Sequence, residues 1–239
     1  AQDNGTHKFT TAGINSVTTP TGGDGGFCEI DQKNSLQQLT NYTGTNLNMS
    51  NNGGTSFTYN GGFSTDRFIN PGDYDTASST SPGLSTAALY YCGGAARAFR
   101  RVTLNFSALT LFSNSFTVTA STTNHSVSAV KVDPNTANRV WFGMSTAGGA
   151  VASVVPQLFY ASSANGTPTF NQVTLPAAIT AGQYISSIDV ERGNASHILI
   201  TLSNYGIASV YESTDLGANW TSLDNNGVNL PDVPVRWGA

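Results

Sequence analysis

The chain has 239 residues, of which 38% are hydrophobic and 10% are charged, so it is long enough to bury one large core or two small ones. Ten Lys and Arg residues against fourteen Asp and Glu give a formal net charge of -4, and this balance argues against nucleic acid as a partner. Abundant Gly, Asn, Ser and Thr favour strands and tight turns, which excludes an all-helical fold.

Three features of the sequence concern the cellular location of the protein: its first residues, its cysteines and its glycosylation sequons. No apolar run approaches the roughly 18 residues of a membrane-spanning helix, and Ala1 opens into polar sequence instead of a signal peptide, which predicts a mature or excised chain without a transmembrane segment. Cys28 and Cys92 either form a disulfide or are buried strand residues, and their spacing predicts no zinc site. Repeated Asn-x-Ser/Thr sequons predict an extracellular or cell-surface location.

Short β-rich runs bounded by Gly, Pro, Asn or Asp recur along the whole chain. They group into four units at roughly 25–60, 68–115, 125–175 and 185–225, with partial units at 1–20 and 230–239. Within a unit, an apolar strand that ends in an acidic turn is followed by a second apolar strand, as in Val127–Pro134 and then Arg139–Gly143. Units of about 50 residues are typical of four-stranded propeller blades. We predict an all-β propeller of four to five blades, either closed by its two ends or part of a larger propeller.

A short motif recurs in phase with these units. Ser213–Trp220 reads Ser-x-Asp-x-Gly-x-x-Trp, and Ser50–Phe57 has Asn in place of Asp and Phe in place of Trp. Ser163–Phe170 has the same two replacements, and Thr167 stands where the motif has Gly. The unit 68–115 has no clear copy, and we place its eroded turn around Gly93 to Phe99. The residues that define the motif are Ser50, Asn52, Gly54, Phe57, Ser163, Asn165, Phe170, Ser213, Asp215, Gly217 and Trp220.

These copies resemble the Asp-box, or BNR, repeat of sialidases, sortilin-type receptors, xyloglucan hydrolases and many secreted bacterial propellers. Gln2–Thr6 and Gly23–Gly26 also look like secreted propellers of the sortilin-like kind. The resemblance implies that the motif is a turn between the third and fourth strands of a blade, at the periphery and away from the central pocket. Its carboxylate or amide would bond to turn backbone groups, so Asp215 is predicted to be structural and not catalytic.

Candidate chemistry is sparse. A sialidase-like site would need arginines from separate blades, whereas Arg97, Arg100 and Arg101 crowd into one unit and no Arg-Ile-Pro signature occurs. A glycoside hydrolase needs two carboxylates across a cleft, and no spacing in the sequence singles out a pair. Asp73 and Asp75 form the densest acidic cluster and are candidates for binding a saccharide or Ca²⁺. Arg97 and Arg100 complete the candidate ligand-binding set, and no catalytic residue is assigned.

The sequence therefore predicts a non-catalytic extracellular module that binds protein or glycan partners or has a structural role. The alternative is a glycoside hydrolase, sialidase-like or xyloglucanase-like, that uses paired carboxylates in a central funnel. We predict no resident metal or cofactor, with Ca²⁺ as the one ion to consider. Unpaired sheet edges in the partial units predict self-assembly or completion by further sequence.

Overall fold

The computed structural model describes residues 3–13, 16–224 and 229–238, and within these ranges the chain forms eighteen β-strands and no helix. The same ranges therefore contain no helix that is long and apolar enough to cross a membrane. The first two strands, β1 (Thr6–Lys8) and β2 (Thr18–Thr21), pair as a short antiparallel hairpin. The other sixteen form four sheets of four strands each.

Each four-stranded sheet is one blade of a propeller, with antiparallel strands in chain order. Blade 1 contains β3 (Cys28–Ile30), β4 (Gln38–Asn41), β5 (Leu47–Ser50) and β6 (Thr58–Asn60). Blade 2 contains β7 (Gly72–Asp75), β8 (Ala88–Gly93), β9 (Ala98–Asn105) and β10 (Thr110–Thr117). Blade 3 contains β11 (His125–Val132), β12 (Val140–Thr146), β13 (Gln157–Ser162) and β14 (Thr169–Val173). Blade 4 contains β15 (Ile185–Val190), β16 (Ile198–Leu202), β17 (Val210–Ser213) and β18 (Thr221–Ser222). The predicted all-β propeller is confirmed, with four complete blades in the described ranges.

The hydrophobic cores lie between successive blades. Strand side chains alternate between the two faces of a sheet, so each blade can pack against the blade before it and the blade after it. Residues that represent the three cores are Leu39 and Tyr90 for blades 1 and 2, Tyr91 and Phe142 for blades 2 and 3, and Trp141 and Ile200 for blades 3 and 4. Full burial of one such side chain contributes about 1.5 to 3 kcal/mol. The first strands line the axis, since β11 contacts both β7 and β15.

Blade 2 corrects one prediction about the turns. The segment Gly93 to Phe99, predicted to be the eroded copy of the motif, instead connects β8 to β9, the second and third strands. The turn between β9 and β10 is formed by Asn105–Thr110, where the Asn105 side chain accepts the Ala108 N–H at 3.0 Å and Leu109 has a φ of +52°. This turn uses a side chain at its first position without a Ser-x-Asp pattern, so a search for the motif could not place it.

The two cysteines are free thiols, so the disulfide alternative is not formed. Cys28 is exposed, whereas Cys92 is buried in β8, where burial raises the pKa of its thiol to about 12. At the other end of the chain, residues 233–238 run beside blade 4, and the Trp237 ring lies 6.3 Å from the Phe27 ring in front of blade 1. The described ranges leave out residues 1–2, 14–15, 225–228 and 239, which include parts of both predicted partial units and the last residue of the fourth unit.

Candidate functional site

The turn between β17 and β18 is closed by its own side chains. The Ser213 hydroxyl donates to Asp215 Oδ1 at 2.9 Å and accepts the Gly217 N–H at 2.8 Å. Asn219 donates to Asp215 twice, from Nδ2 at 2.7 Å and from its backbone N–H at 2.8 Å. These bonds hold the pKa of the Asp215 carboxyl below its ordinary value, and the bond from the Asn219 side chain contributes most. Gly217 has a φ of +85°, a conformation that glycine adopts without strain. Both carboxylate oxygens are therefore occupied within the turn.

The copy between β5 and β6 has the same arrangement with an amide in place of the carboxylate. The Gly54 N–H donates to Ser50 Oγ at 2.9 Å, and the Ser50 hydroxyl donates to Asn52 Oδ1 at 2.9 Å. The Asn52 oxygen also accepts the Thr55 and Ser56 N–H groups at 3.1 Å. Asn and Asp thus have the same role in this turn, as acceptors for backbone N–H groups. We refer to the turns at Ser50–Phe57, Ser163–Phe170 and Ser213–Trp220 as the Ser-x-Asp turns.

The third Ser-x-Asp turn, between β13 and β14, is held by the preceding blade. Arg101 donates from Nη1 to the Gly166 and Ala164 carbonyl oxygens at 2.6 and 3.3 Å. Asn165 lies exposed in this turn, after Ser163, which has a φ of +54°. The aromatic residues of the three turns, Phe57, Phe170 and Trp220, are half-buried, and Phe170 and Trp220 pack against the cores between blades.

The candidate ligand-binding residues do not form one site. Arg97 follows β8 with a φ of +61°, and Arg100 lies in β9 with its guanidinium 4.6 Å from the Phe63 ring centroid. Neither arginine lines the cavity that Asp73 and Asp75 share. Asp75 Oδ1 accepts the N–H groups of Ala77 and Ser78 at 2.9 and 3.3 Å, and it therefore holds the turn after β7. Asp73 accepts the Tyr74 N–H on Oδ1 at 3.0 Å and the Val132 N–H on Oδ2 at 2.7 Å, and it is the member of the set that lines this cavity from the middle of a first strand.

Asp73 belongs to a set that sequence reasoning missed. Each blade carries a charged residue at one equivalent position of its first strand, two residues before the acidic residue of the following turn. We call this set the central row, and its members are Glu29, Asp73, Lys131 and Asp189. The acidic residues two positions further on, at or just after the end of each first strand, are Asp31, Asp75, Asp133 and Glu191. The signal was present in the sequence as a repeated charged-x-acidic tripeptide at the end of each first strand.

Three members of the central row, Glu29, Asp73 and Lys131, line a cavity of about 450 Å³. This cavity, which we call the central cavity, opens where the first strands of blades 1, 2 and 3 end, and Tyr74 and Arg192 also line it. The strands bring Glu29 and Asp73 together although they belong to different blades. Glu29 and Asp73 therefore share one cavity, a pairing that no spacing in the sequence indicates.

The two carboxyl groups differ in their affinity for protons. Burial raises the pKa of Glu29 to about 8, the Asp73 charge adds to the rise, and Lys131 opposes it. Burial also raises the pKa of Asp73, to about 6, but the N–H of Val132 at 2.7 Å and Lys131 oppose this rise. Near pH 7 Glu29 therefore carries its proton while most Asp73 is ionised. A neutral carboxyl beside an ionised one is the arrangement required for general acid and base roles.

A second group of charged residues lies on blade 4, and its members form hydrogen bonds with one another. His197 lies between Glu191 and Glu212, with Nδ1 and Nε2 at 2.7 and 2.5 Å from their carboxylate oxygens. These bonds raise the pKa of His197, and the bond to Glu191 contributes most. In the described residues, no group of three or more His, Cys, Asp or Glu side chains has a geometry that could hold a metal ion. The central cavity is the stronger candidate site.

No family model matches the chain, and no curated protein matches it in sequence. Among solved structures, an ancestral GH74 enzyme is similar with a TM-score of 0.56 and 20% identity, over 83% of this chain and 24% of that enzyme. The GH74 xyloglucanase from Xanthomonas campestris gives 0.55 and 12%, over 82% and 29% of the two chains. The GH74 enzyme from Niastella koreensis gives 0.56 and 16%, over 81% and 28%. The chain thus spans about a quarter of the length of these enzymes, and the likeness shows a shared β-propeller fold.

Proposed function

We propose that this chain is a glycan-binding β-propeller that acts outside the cell, with the central cavity as its ligand site. The observation that carries the proposal is the pairing of Glu29 and Asp73 in one cavity with opposite protonation states near pH 7. The volume of about 450 Å³ falls in the range of roughly 300 to 1,000 Å³ that is typical of small-ligand pockets. The fold likeness to GH74 enzymes, one of them a xyloglucanase, supports a saccharide as the ligand class.

The cavity offers both kinds of hydrogen-bonding group that a sugar needs. A protonated Glu29 donates one hydrogen bond and accepts others, and an ionised Asp73 only accepts. Sugar hydroxyls act as donors and acceptors at once, so this pair complements them. Lys131 and Arg192 add charged donors at the cavity wall. Charge-assisted hydrogen bonds of this kind are the stronger ones, and they favour a hydroxyl-rich ligand.

Glycoside hydrolysis is a second candidate, because it uses one protonated and one ionised carboxyl group in the same cleft, and Glu29 and Asp73 line one cavity with these protonation states near pH 7. In such a reaction, Glu29 would give its proton to the glycosidic oxygen as the bond from that oxygen to the sugar breaks. Asp73 would take a proton from the water whose oxygen forms the new bond to the sugar. Glu29 would be left ionised and Asp73 protonated, and transfer of a proton back through water would restore the pair. The raised pKa of Glu29, about 8, is the observation that favours this candidate.

We also infer that the Ser-x-Asp turns are Asp-box repeats of the BNR type and that the chain belongs with secreted, sortilin-like propellers. The support is the recurrence of one hydrogen bond, from a glycine N–H to the first serine hydroxyl, at Gly54 and Gly217. A turn that closes on its own side chains at the edge of a blade serves stability. In this assignment the rim of the propeller contributes to the fold, and the centre binds the ligand.

Isothermal titration calorimetry with a panel of oligosaccharides tests the binding proposal. The panel contains neutral xyloglucan fragments and an anionic sialoside. Glu29→Gln and Asp73→Asn are expected to weaken binding of the neutral ligand about tenfold or more, since tenfold corresponds to the loss of about one hydrogen bond. Asp215→Asn at the rim is the matched control and should bind like the parent protein. Unchanged affinity in both central variants, or absence of binding at millimolar ligand, would show that the proposal is wrong.

Release of reducing sugar from the same oligosaccharides tests hydrolysis. If the second candidate holds, Glu29→Gln and Asp73→Asn should each lower kcat about 100-fold or more, since general acid and base groups contribute on that scale. Ligand binding without any turnover in the parent protein would reject hydrolysis and leave the binding proposal intact. Native mass spectrometry of the same sample tests self-assembly, which the sequence predicts as the alternative to completion by further sequence.

A further inference from the structure

The central carboxyl pair has a positively charged neighbour on blade 3. Lys131 lines the central cavity together with Glu29 and Asp73. The next residue along β11, Val132, donates its N–H to Asp73 Oδ2 at 2.7 Å, so the Asp73 carboxylate lies directly beside this part of β11. Lys131 thus shares the cavity with the pair from the strand position next to the one that binds Asp73, and a positive charge near a carboxyl favours its ionised form.

Lys131 is itself paired with blade 4. Its Nζ lies 2.7 Å from Oδ1 of Asp189, and the two side chains are only partly exposed. Asp189 faces a separate cavity of about 490 Å³ and does not line the central one. The central row thus runs from a carboxyl pair on blades 1 and 2, through a cation on blade 3, to its counter-ion on blade 4. Because partial burial lowers the effective dielectric constant, each of these charges acts on the next more strongly than it would in water.

The other charged groups around the cavity are constrained. They are Lys33, Asp75, Asp133 and Arg192. Lys33 donates to the Ala77 and Ser79 carbonyl oxygens at 3.1 and 3.0 Å, and Asp75 holds the turn after β7. Asp133 is paired with Arg139 at 2.7 Å. Arg192 is exposed, so its charge is screened by solvent. Lys131 differs from these residues, because it lines the central cavity while its ion-pair partner, Asp189, lies outside it.

We propose that Lys131 is a positioning residue for the central pair: its ammonium group keeps Asp73 in the carboxylate form, and Asp189 sets how much of that positive charge the pair experiences. The inference rests on the proposed function, because it assigns Lys131 a part in the same ligand site. It implies that a change at Asp189, on a different blade, alters the proton acceptor in the central cavity without touching it.

Carboxyl ¹³C NMR titration of the ligand-free protein tests the charge effect directly. Lys131→Met should raise the titration midpoints of Asp73 and Glu29 by about one pH unit, the lower end of the range for a nearby opposite charge. Lys131→Arg keeps the charge and should leave both midpoints near the parent values. Asp189→Asn leaves the lysine charge uncompensated and should move both midpoints downward. Opposite shifts in the methionine and asparagine variants are the signature of the proposed charge effect, which a purely structural lysine would not produce.

The outcomes separate this inference from the proposed function. Circular dichroism first confirms that each variant is folded, and if Lys131→Met does not fold, Asp189→Asn alone decides by the direction of its shift. Unchanged midpoints in a folded Lys131→Met or Asp189→Asn protein would overturn the inference even if glycans bind. Shifted midpoints in a protein that binds no glycan would support the charge relation and reject the ligand site. Tighter or weaker glycan binding that follows the Asp73 midpoint across the variants would support both.

Discussion

The carboxyl groups at the rim and at the centre of this propeller contrast sharply, although they are the same kind of chemical group. At the rim, Asp215 accepts hydrogen bonds on both oxygens from its own turn, and its pKa is lower than usual. At the centre, burial raises the pKa of Glu29 to about 8 and that of Asp73 to about 6. Asp73 also accepts two backbone N–H groups, from Tyr74 and Val132, so the difference teaches that desolvation outweighs hydrogen-bond donors at the centre, whereas donors dominate at the exposed rim.

The turn after β11 shows that burial alone does not make a carboxyl available. Asp133 has no exposed side-chain surface, but it accepts from the Asn135 and Thr136 N–H groups at 2.8 and 2.9 Å. It also accepts from Arg139 Nε at 2.7 Å and Trp141 Nε1 at 3.1 Å. Four donors satisfy this carboxylate, as expected of a buried charge that serves structure. Glu29 is also desolvated, but its pKa is set by burial and by the charges of Asp73 and Lys131.

The largest effect on the free energy of unfolding is expected at Asp133, the carboxylate with the most hydrogen-bond donors in this comparison. Asp133→Ala should lower the free energy of unfolding by about 3 to 5 kcal/mol, because it leaves the Arg139 charge and the Trp141 N–H without their acceptor in a buried position. Urea denaturation monitored by tryptophan fluorescence measures the loss. Asp75→Ala, which removes an acceptor of two backbone N–H groups, is the matched control and should cost less. Equal losses would show that Arg139 and Trp141 do not depend on the carboxylate.

An intermediate effect, of opposite sign, is expected at Glu29. Its pKa in the folded state, about 8, is higher than the ordinary value of 4.5, so the folded protein holds this proton more tightly than the unfolded chain. The stability that this provides is complete below about pH 4.5 and is lost as the pH rises through 8. Glu29→Gln keeps a neutral group at every pH and should stabilise the protein at pH 8 by about 2 kcal/mol, after allowance for partial solvent exposure.

Urea unfolding at pH 5 and pH 8 measures this effect. The parent protein should lose stability between the two pH values by more than Glu29→Gln does. Asp215→Asn at the rim provides a control, since the pKa of the Asp215 carboxyl lies below its ordinary value and its loss should not flatten the same pH interval. A Glu29→Gln protein with the pH dependence of the parent would mean that Glu29 is ionised at pH 8 and solvated like a rim carboxyl.

The sequence was sufficient for the rim because the rim is local. A serine, an acceptor two residues later and a glycine after that contain all the partners of the turn, so Ser213, Asp215 and Gly217 could be identified without knowledge of the fold. The same locality explains the wrong prediction in blade 2, where Asn105 forms the turn with different residues, so the motif is absent there and Gly93–Phe99 was predicted instead. A motif search finds the turns that carry the motif and misplaces those that do not.

The centre could not be predicted from the sequence because its geometry is not local. Glu29 and Asp73 meet only when two blades pack, and their raised pKa values depend on burial that no sequence spacing encodes. Arg100 was predicted to bind a ligand together with Asp73, but its guanidinium lies over the Phe63 ring instead. What the sequence did contain was the repeated phase of the central row. A comparison of equivalent strand positions between units would have placed Lys131 beside the carboxyl pair.

The smallest effect is expected at Asp215, and it tests whether the rim is purely structural. Asp215→Ala removes the acceptor of the Asn219 N–H and of the Ser213 hydroxyl, and should lower the Tm by about 2 to 4 °C in a chain of this size. Asp215→Asn should have almost no effect, because Asn52 has the same role with an amide oxygen in the first Ser-x-Asp turn. Differential scanning calorimetry measures both variants beside the parent protein. Glycan affinity should be the same in all three proteins, since this turn shares no residue with the central cavity. A loss of binding at an unchanged Tm would place a ligand contact at the rim, and the separation between rim and centre would not hold.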